Sequence, residues 1–319
     1  MRFLQLDPRQ TPEALATNNE ILNAGQVLGI EVTVPKLAAR CDLGNVDPQH
    51  TGGRSDTAAI EVAAVGAVDY RVYCDHDGGP RPSEWGTVTL VTVRPDLDSV
   101  GAMAALSLLA QGKDLSSARG RIAAIAEFDK FANGEWPGKR PLPTAENPWP
   151  EKGARKLAAI AASAEDFRKP LGERVAEMER WLLSGDEPEG YRPRVEAERV
   201  EMIHALENGD IKVAEVDDGR IAVVKSTHRA ATMLGYMRAP VVIALNPEFR
   251  FQGGTPHKKF TVCQFLAGYV DLPEVVNAIS DLEPGWGGSP TIVGSPQGMR
   301  STLTVDQVVN FVSAWLVAR

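Results

Sequence analysis

Thr87-Val88-Thr89-Leu90-Val91-Thr92-Val93 runs directly into Arg94-Pro95-Asp96-Leu97-Asp98-Ser99. The first seven residues are β-branched and nearly continuously apolar, as expected of a strand covered on both faces. From Ser99 to Ala110 the composition turns to Ala, Leu and Met, which reads as an apolar helix. A covered strand that empties through a proline turn into an apolar helix is the building unit of an α/β sheet. It leaves two carboxylates, Asp96 and Asp98, at the strand's end.

Working outward, residues from about 12 to 29 fit a helix that gives way at Gly29 to the strand-like run Ile30 to Pro35. The stretch Cys41 to Gly53 is rich in turn formers and holds Asp47 and His50. Ala58 to Val68 reads as a small-residue helix. Tyr70 to Cys74 reads as a strand emptying into the polar loop Asp75-His76-Asp77-Gly78-Gly79-Pro80. Downstream, residues 120 to 129 fit either a strand or a short helix, because Ala and Ile leave both periodicities open. Lys130 to Pro150 is crowded with Pro, Gly, Asn and Trp. Residues 152 to 183 and 193 to 207 read as helical, interrupted at Pro170 and around Ser184 to Gly190. After Asn208 strands dominate: Ile211 to Val216, Arg220 to Lys225, Val241 to Leu245 and Lys259 to Phe265, with helices at His228 to Met237, Leu272 to Leu282 and Thr304 to Leu316.

The expected architecture is therefore α/β with two lobes. Residues 1–207 form a larger domain with a mixed or mostly parallel sheet and a lid-like insertion at about 130–207; residues 208–319 form a smaller α/β domain. A chain of 319 residues with 43% hydrophobic content can bury cores of that size. The net charge of -8, with 42 acidic and 34 basic residues spread along the chain, argues against broad attraction to nucleic-acid backbones. Cys41, Cys74 and Cys263 are far apart and suggest neither a disulfide framework nor a CxxC zinc site. No apolar stretch reaches the roughly 20 residues needed to cross a bilayer, and the amino terminus lacks a leader pattern. A cytoplasmic protein without membrane contact is expected.

Asp96 and Asp98 are two residues apart, which in extended geometry directs both side chains to one side. Divalent cations such as Mn²⁺ and Mg²⁺ prefer such hard oxygen ligands. Ser99 beside them is also a suitable helix cap. Asp75, His76 and Asp77, with His50, add oxygens and imidazoles of the kind that suit Mn²⁺ better than a cysteine-rich zinc site. In the second lobe, Gly285-Trp286-Gly287-Gly288-Ser289-Pro290-Thr291-Ile292-Val293-Gly294-Ser295 is dense in glycines and short hydroxyls. Gly287, Gly288, Ser289 and Ser295 are candidates for holding an anionic group. His228 and Arg229 follow a strand-like run, Arg229 suited to bidentate phosphate recognition and His228 to leaving-group or water handling. His257 reads as an exposed-loop residue and His204 as a surface one. Trp85, Trp136, Trp149 and Trp286 could line a base pocket or pack the lobes.

The segment Val91 to Ala102 resembles the first motif of the DHH phosphoesterase superfamily, in which a strand ends in a histidine followed by Pro-Asp-x-Asp. Asp96 and Asp98 match the carboxylates that help bind a manganese pair there, and Val93 stands where the histidine is expected. The resemblance extends to Asp129 as a second aspartate motif, and residues 211 to 316 look like the smaller DHHA1-type substrate-binding domain. No Asp-His-His follows downstream, and Gly287-Gly288 is followed by Ser289 rather than histidine. The resemblance implies a metal-dependent phosphoesterase that uses Mn²⁺, with Mg²⁺ as the alternative. The resemblance supplies Asp96, Asp98 and Asp129 as ligands; Asp75, His76, Asp77 and His50 join them as independent candidates, since Asp75-His76-Asp77 lies before Asp96 in the chain, and His76 and His228 are the expected catalytic residues. The partner is a small phosphorylated substrate, a nucleotide or short oligonucleotide; a homo-oligomer is allowed. The alternatives are a non-catalytic nucleotide-binding or regulatory protein on the same scaffold, or another metal-dependent hydrolase. There is no P-loop and no Gly-x-Ser-x-Gly, and Cys74 beside His76 is a minor nucleophile candidate.

Overall fold

The computed structural model describes residues 1–49, 57–65, 87–130, 136–148, 157–250, 254–296 and 298–317. The chain divides into two compact α/β units: Met1–Lys130 with Lys156–Val195, and Phe131–Arg155 with Glu196–Arg319. In sequence the chain passes between them after Lys130, Arg155 and Val195, the last inside the helix Tyr191–Glu207. No helix among the described residues is long and apolar enough to cross a membrane.

The first unit holds a four-stranded, all-parallel sheet in the order β1 (Arg2–Gln5), β4 (Val88–Thr92), β2 (Gln26–Ile30), β3 (Asn45–Val46). Strand β4 is buried at every position, with Leu90 opposite both Phe3 and Leu28. Its alternate side chains feed two cores. Val88 and Leu90 join Leu28 and Ile30 on one face, while Val91 and Val93 join Leu4, Val27 and Val32 on the other. The helix Leu97–Ala110 is apolar around its whole circumference, so it is buried on all sides. It packs against the helices Ala59–Val65, Arg119–Lys130 and Leu171–Ser184.

Two local expectations are corrected here. Residues 12 to 29 are not one helix: Pro12–Ala16 and Asn19–Leu22 are short turns capped by Thr11 and Asn18, and the strand already begins at Gln26, where pairing with β4 outweighs local propensity. The run after Ile30 does not stay extended, since a helix starts at Pro35. Residues 120 to 129, which left both periodicities open, lie in the helix Arg119–Lys130.

The second unit holds a six-stranded mixed sheet in the order β5 (Lys212–Val216), β6 (Ile221–Lys225), β7 (Val241–Phe249), β8 (His257–Gln264), β10 (Ile292–Gly294), β9 (Gly287–Gly288). Only the β6–β7 pair is parallel. The helices Leu272–Ser280 and Val305–Ala314 cover one face around Ile243, Phe260 and Val262. Tyr191–Glu207 and Ala231–Tyr236 cover the other around Val242, Leu234 and Cys263.

Candidate functional site

Strands β2, β3 and β4 run parallel, so their carboxyl ends open on one side of the sheet, where open parallel sheets take ligands. Acidic residues follow all three: Glu31 directly after β2, Asp47 directly after β3, and Asp96 in the connection after β4. Asp98 lies in the first turn of the next helix and Asp129 near the end of Arg119–Lys130.

Glu31 has a left-handed backbone, φ 51°, a conformation that costs a residue bearing a Cβ about 1–2 kcal/mol. Neighbouring groups hold it there. The Asn45 amide donates to the Val32 carbonyl at 3.0 Å and accepts the Val32 N–H at 3.1 Å, and the Glu31 N–H donates to the Val46 carbonyl at 3.0 Å. Room for that clamp comes from Gly29, where a Cβ would lie 2.5 Å from Asn45 Oδ1. Burial, then the charges of Asp96, Asp98, Asp129 and Asp47, push the Glu31 carboxyl well above its usual range. Its Oε2 is buried and meets no hydrogen-bond donor among the described residues.

Asp98 is 1% exposed, and its two oxygens accept the Ala59 N–H at 2.6 Å and the Ile60 N–H at 2.9 Å. It thus caps the helix Ala59–Val65 from another element. Gly101 permits that approach, since a Cβ there would lie 2.8 Å from Ile60 Cδ1. Burial, followed by the negative charges of Asp129 and Asp96, raises the Asp98 carboxyl well above its usual range, against the pull of the two N–H bonds. Asp96 is the N-cap of Leu97–Ala110: its Oδ1 accepts the Ser99 N–H and hydroxyl, both at 2.9 Å, and Ser99 Oγ accepts the Asp96 N–H at 2.8 Å. The cap is therefore Asp96 and not Ser99, and the extended geometry assumed for the Asp96/Asp98 spacing does not apply, because the helix begins between them. Asp129 is half-buried near a helix C-terminus, where the helix dipole disfavours a carboxylate, and it accepts a bond from Gln49.

Glu31 was missed in the sequence because Ile30 and Val32 flank it with strand-like alternation; the one signal was a charge inside an otherwise apolar run. Val93, at the position expected to hold histidine, is packed in the core. Among the described residues, no group of three or more His, Cys, Asp or Glu side chains is arranged to hold a metal ion. His50, Cys74, Asp75, His76, Asp77, Trp85 and Trp149 lie outside the described residues.

The candidates of the second unit are largely engaged in local structure. His228 Nδ1 accepts the Ala230 N–H at 3.1 Å, which fixes the neutral tautomer with its proton on Nε2, and burial lowers its pKa against the pull of Glu201. Arg229 is ion-paired with Glu198. Ser295 is buried, its hydroxyl accepting the Phe260 N–H at 3.0 Å, so it ties two strands together. His257 is buried rather than loop-exposed and stands edge-on to Phe249. Trp286 stacks on Phe260 and donates to Glu283 at 2.9 Å, as part of the core. His204 is exposed, as expected.

The glycine-rich segment is not an irregular loop. Gly287–Gly288 pairs antiparallel with Val293–Gly294 across a turn closed by Ser289 N–H to Ile292 O at 2.7 Å, and Ser289 Oγ sits 3.2 Å from Thr291 Oγ1. Gly288 has φ 152°, and a Cβ there would fall 2.1 Å from the Ile292 carbonyl oxygen. Gly288→Ala is therefore expected to destabilise the second unit by about 2 kcal/mol or more, whatever its effect on ligands. Urea unfolding checks this, and an unchanged midpoint would count against the hairpin geometry.

No family model matches the sequence, and no curated protein matches it. Among solved structures the chain is similar to the crystal structure of RecJ in complex with Mg²⁺ from Thermus thermophilus, at 16% identity and a TM-score of 0.32. The match covers 95% of this chain and 51% of that one, so the chain spans about half its length. Likeness at that level is too low to transfer a fold or an activity.

Proposed function

We propose that the protein is a metal-dependent phosphoesterase acting on a nucleotide or other small phosphate ester. The reading is supported by Glu31, Asp47 and Asp96 following the carboxyl ends of parallel strands β2, β3 and β4, with Asp98 and Asp129 on the helices Leu97–Ala110 and Arg119–Lys130 and their negative charges, after burial, pushing the Glu31 carboxyl upward. Such repulsion is unfavourable unless a cation relieves it. The donors are all hard oxygens, which fit Mn²⁺ or Mg²⁺ better than Zn²⁺, and Glu31 Oε2, which meets no hydrogen-bond donor among the described residues, is an atom a cation would satisfy. A divalent cation bound there would supply Lewis-acid stabilisation of phosphoryl oxygens and ease the deprotonation of water. Glu31 and Asp96 would be its principal holders, with Asp47 and Asp129 sharing the surrounding negative charge and Asp98 tied to the helix Ala59–Val65. His228 is left out of the reacting set because its Nδ1 is bonded within its own loop.

A non-catalytic nucleotide-binding protein is the second reading, favoured by Val93 in the core where a histidine would otherwise stand. Turnover separates the two. Purified protein, stripped with chelator and reloaded with Mn²⁺ or Mg²⁺, is assayed on mononucleotides, cyclic nucleotides, short oligonucleotides and small phosphate esters, with released phosphate and cleaved product measured separately. Metal-restored turnover is expected, with Glu31→Gln and Asp96→Asn each losing more than the about 10–100-fold typical of outer-shell changes. Ligand binding without turnover across that set supports the second reading, and turnover unchanged in both variants overturns the site.

A further inference from the structure

A groove of about 520 Å³ lies in the first unit, where the helices Ala59–Val65 and Leu97–Ala110 end, the chain turns through Lys113 to Ser116, and the helix Arg119–Lys130 begins. It is remote from the acidic residues that follow the strands. Leu109, on its wall, lies about 16 Å along the helix Leu97–Ala110 from Asp98 in the first turn. Leu115 and Ile122 are buried members of this unit's core and form an apolar floor, flanked by Ala64, Leu109 and Ala123. A concavity of this size, apolar with a few polar groups around it, suits a small molecule.

Glu61, Lys113, Asp114 and Arg119 supply the charges of the lining, and the two signs are not equally engaged. Asp114 Oδ1 accepts the Ser116 N–H at 3.0 Å and the Ser116 hydroxyl at 2.7 Å, bonds that lower its pKa more than the nearby Arg119 charge does. Glu61 Oε2 accepts the Ala58 N–H at 2.9 Å, at the amino end of its helix and away from Val65. The side chains of Lys113 and Arg119 make no hydrogen bond or ion pair among the described residues. Lys113 is fixed at the groove by the close of its helix: Gly112, at φ 72°, donates to the Leu109 carbonyl and the Lys113 N–H to the Leu108 carbonyl, both at 2.9 Å. Arg119 opens a helix whose first turn holds no acidic residue, an end at which the helix dipole disfavours a cation. Neighbouring Arg121, by contrast, is held by the Leu182 carbonyl at 2.9 Å. An apolar floor beside two cations that hydrogen-bond to no carboxylate is complementary to a ligand apolar at one end and negative at the other.

We propose that this groove binds a small amphipathic anion, its apolar body lying on Leu115 and Ile122 and its anionic group received by Lys113 and Arg119. Guanidinium and ammonium groups bind carboxylate and phosphate alike, so the two head groups are compared directly. The full chain in EDTA is titrated by calorimetry with octanoate, octyl phosphate, octanol and octylammonium, each below its micelle-forming concentration. At least one anion is expected to bind about tenfold or more tighter than octanol and octylammonium, and the tighter of the two identifies the head group. Replacing both cations, Lys113→Gln with Arg119→Gln, should bring the anion down to the affinity of octanol. Ala123→Trp fills the groove from an exposed helix position and should weaken every ligand. Anion affinity unchanged in the double variant or in Ala123→Trp, with a wild-type melting curve, overturns the site. So does octanol binding as tightly as the anions, or no binding of either anion by the wild type. Should Ala123→Trp not fold, the double variant decides, because Lys113 and Arg119 are both exposed. The binding requires no metal, so failure of the phosphoesterase reading would appear separately, as absent turnover with anion binding in EDTA intact.

Discussion

Asp98→Ala is expected to lose about 2–4 kcal/mol of folding stability in chelator, whereas Asp96→Asn should change it by no more than about 0.5 kcal/mol. The two carboxylates are close in sequence and differ in what they hold. Asp98 is the acceptor for the Ala59 and Ile60 N–H groups, and its loss strands two buried donors, each costing about 1–3 kcal/mol. Relief of the repulsion from Asp129 and Asp96 offsets part of that. Asparagine at 96 still caps the helix, because its side-chain oxygen can accept the Ser99 N–H that Asp96 accepts. Urea unfolding of both variants measures the difference. If Asp98→Ala unfolded at the wild-type midpoint, the buried cap would contribute nothing. The practical consequence is that Asp96→Asn, and not a change at Asp98, is the clean probe of metal binding.

The metal-free protein is expected to become less stable as pH rises above the ordinary carboxyl values of Glu31 and Asp98, and divalent cation should remove most of that loss. Folding raises the carboxyls of Glu31 and Asp98 above their ordinary values of 4.5 and 3.8. Between its unfolded and folded pKa values, such a group binds more protons in the native state than in the unfolded one, so stability falls with rising pH. Below the unfolded value both states are protonated and the penalty is absent; above the folded value it is fully present. Each unit of separation is worth about 1.4 kcal/mol. Glu31→Gln should flatten the slope, since an amide does not titrate. Unfolding midpoints at pH 5.5 and 8, with EDTA and with Mg²⁺, provide the measurement, and a metal-free protein that is more stable at the higher pH would overturn the crowding.

Much of the fold was readable because strong local patterns agreed with tertiary need. The β-branched run Thr87 to Val93 became the fully buried β4, and Ser99 to Ala110 lies within the apolar helix at the centre of its unit. Where pattern and propensity were weak, pairing decided. Gln26 to Ile30 joined the sheet because β4 lay beside it, although the preceding residues favoured helix. Arg119 to Lys130 took the helical option by packing on Ala59–Val65 and Leu97–Ala110.

By itself the sequence determined an α/β chain with two strand-rich regions and a pair of carboxylates at a strand-to-helix junction, because hydrophobic periodicity and turn chemistry are local properties. It could not reveal which distant acids join that pair. Glu31 comes within electrostatic reach of Asp96 and Asp98 because Gly29 admits Asn45, Asn45 clamps Val32, and parallel pairing sets β2 beside β4. Charge, burial and hydrogen bonding at a site depend on residues far apart in the chain, and only the tertiary structure brings them within reach of one another.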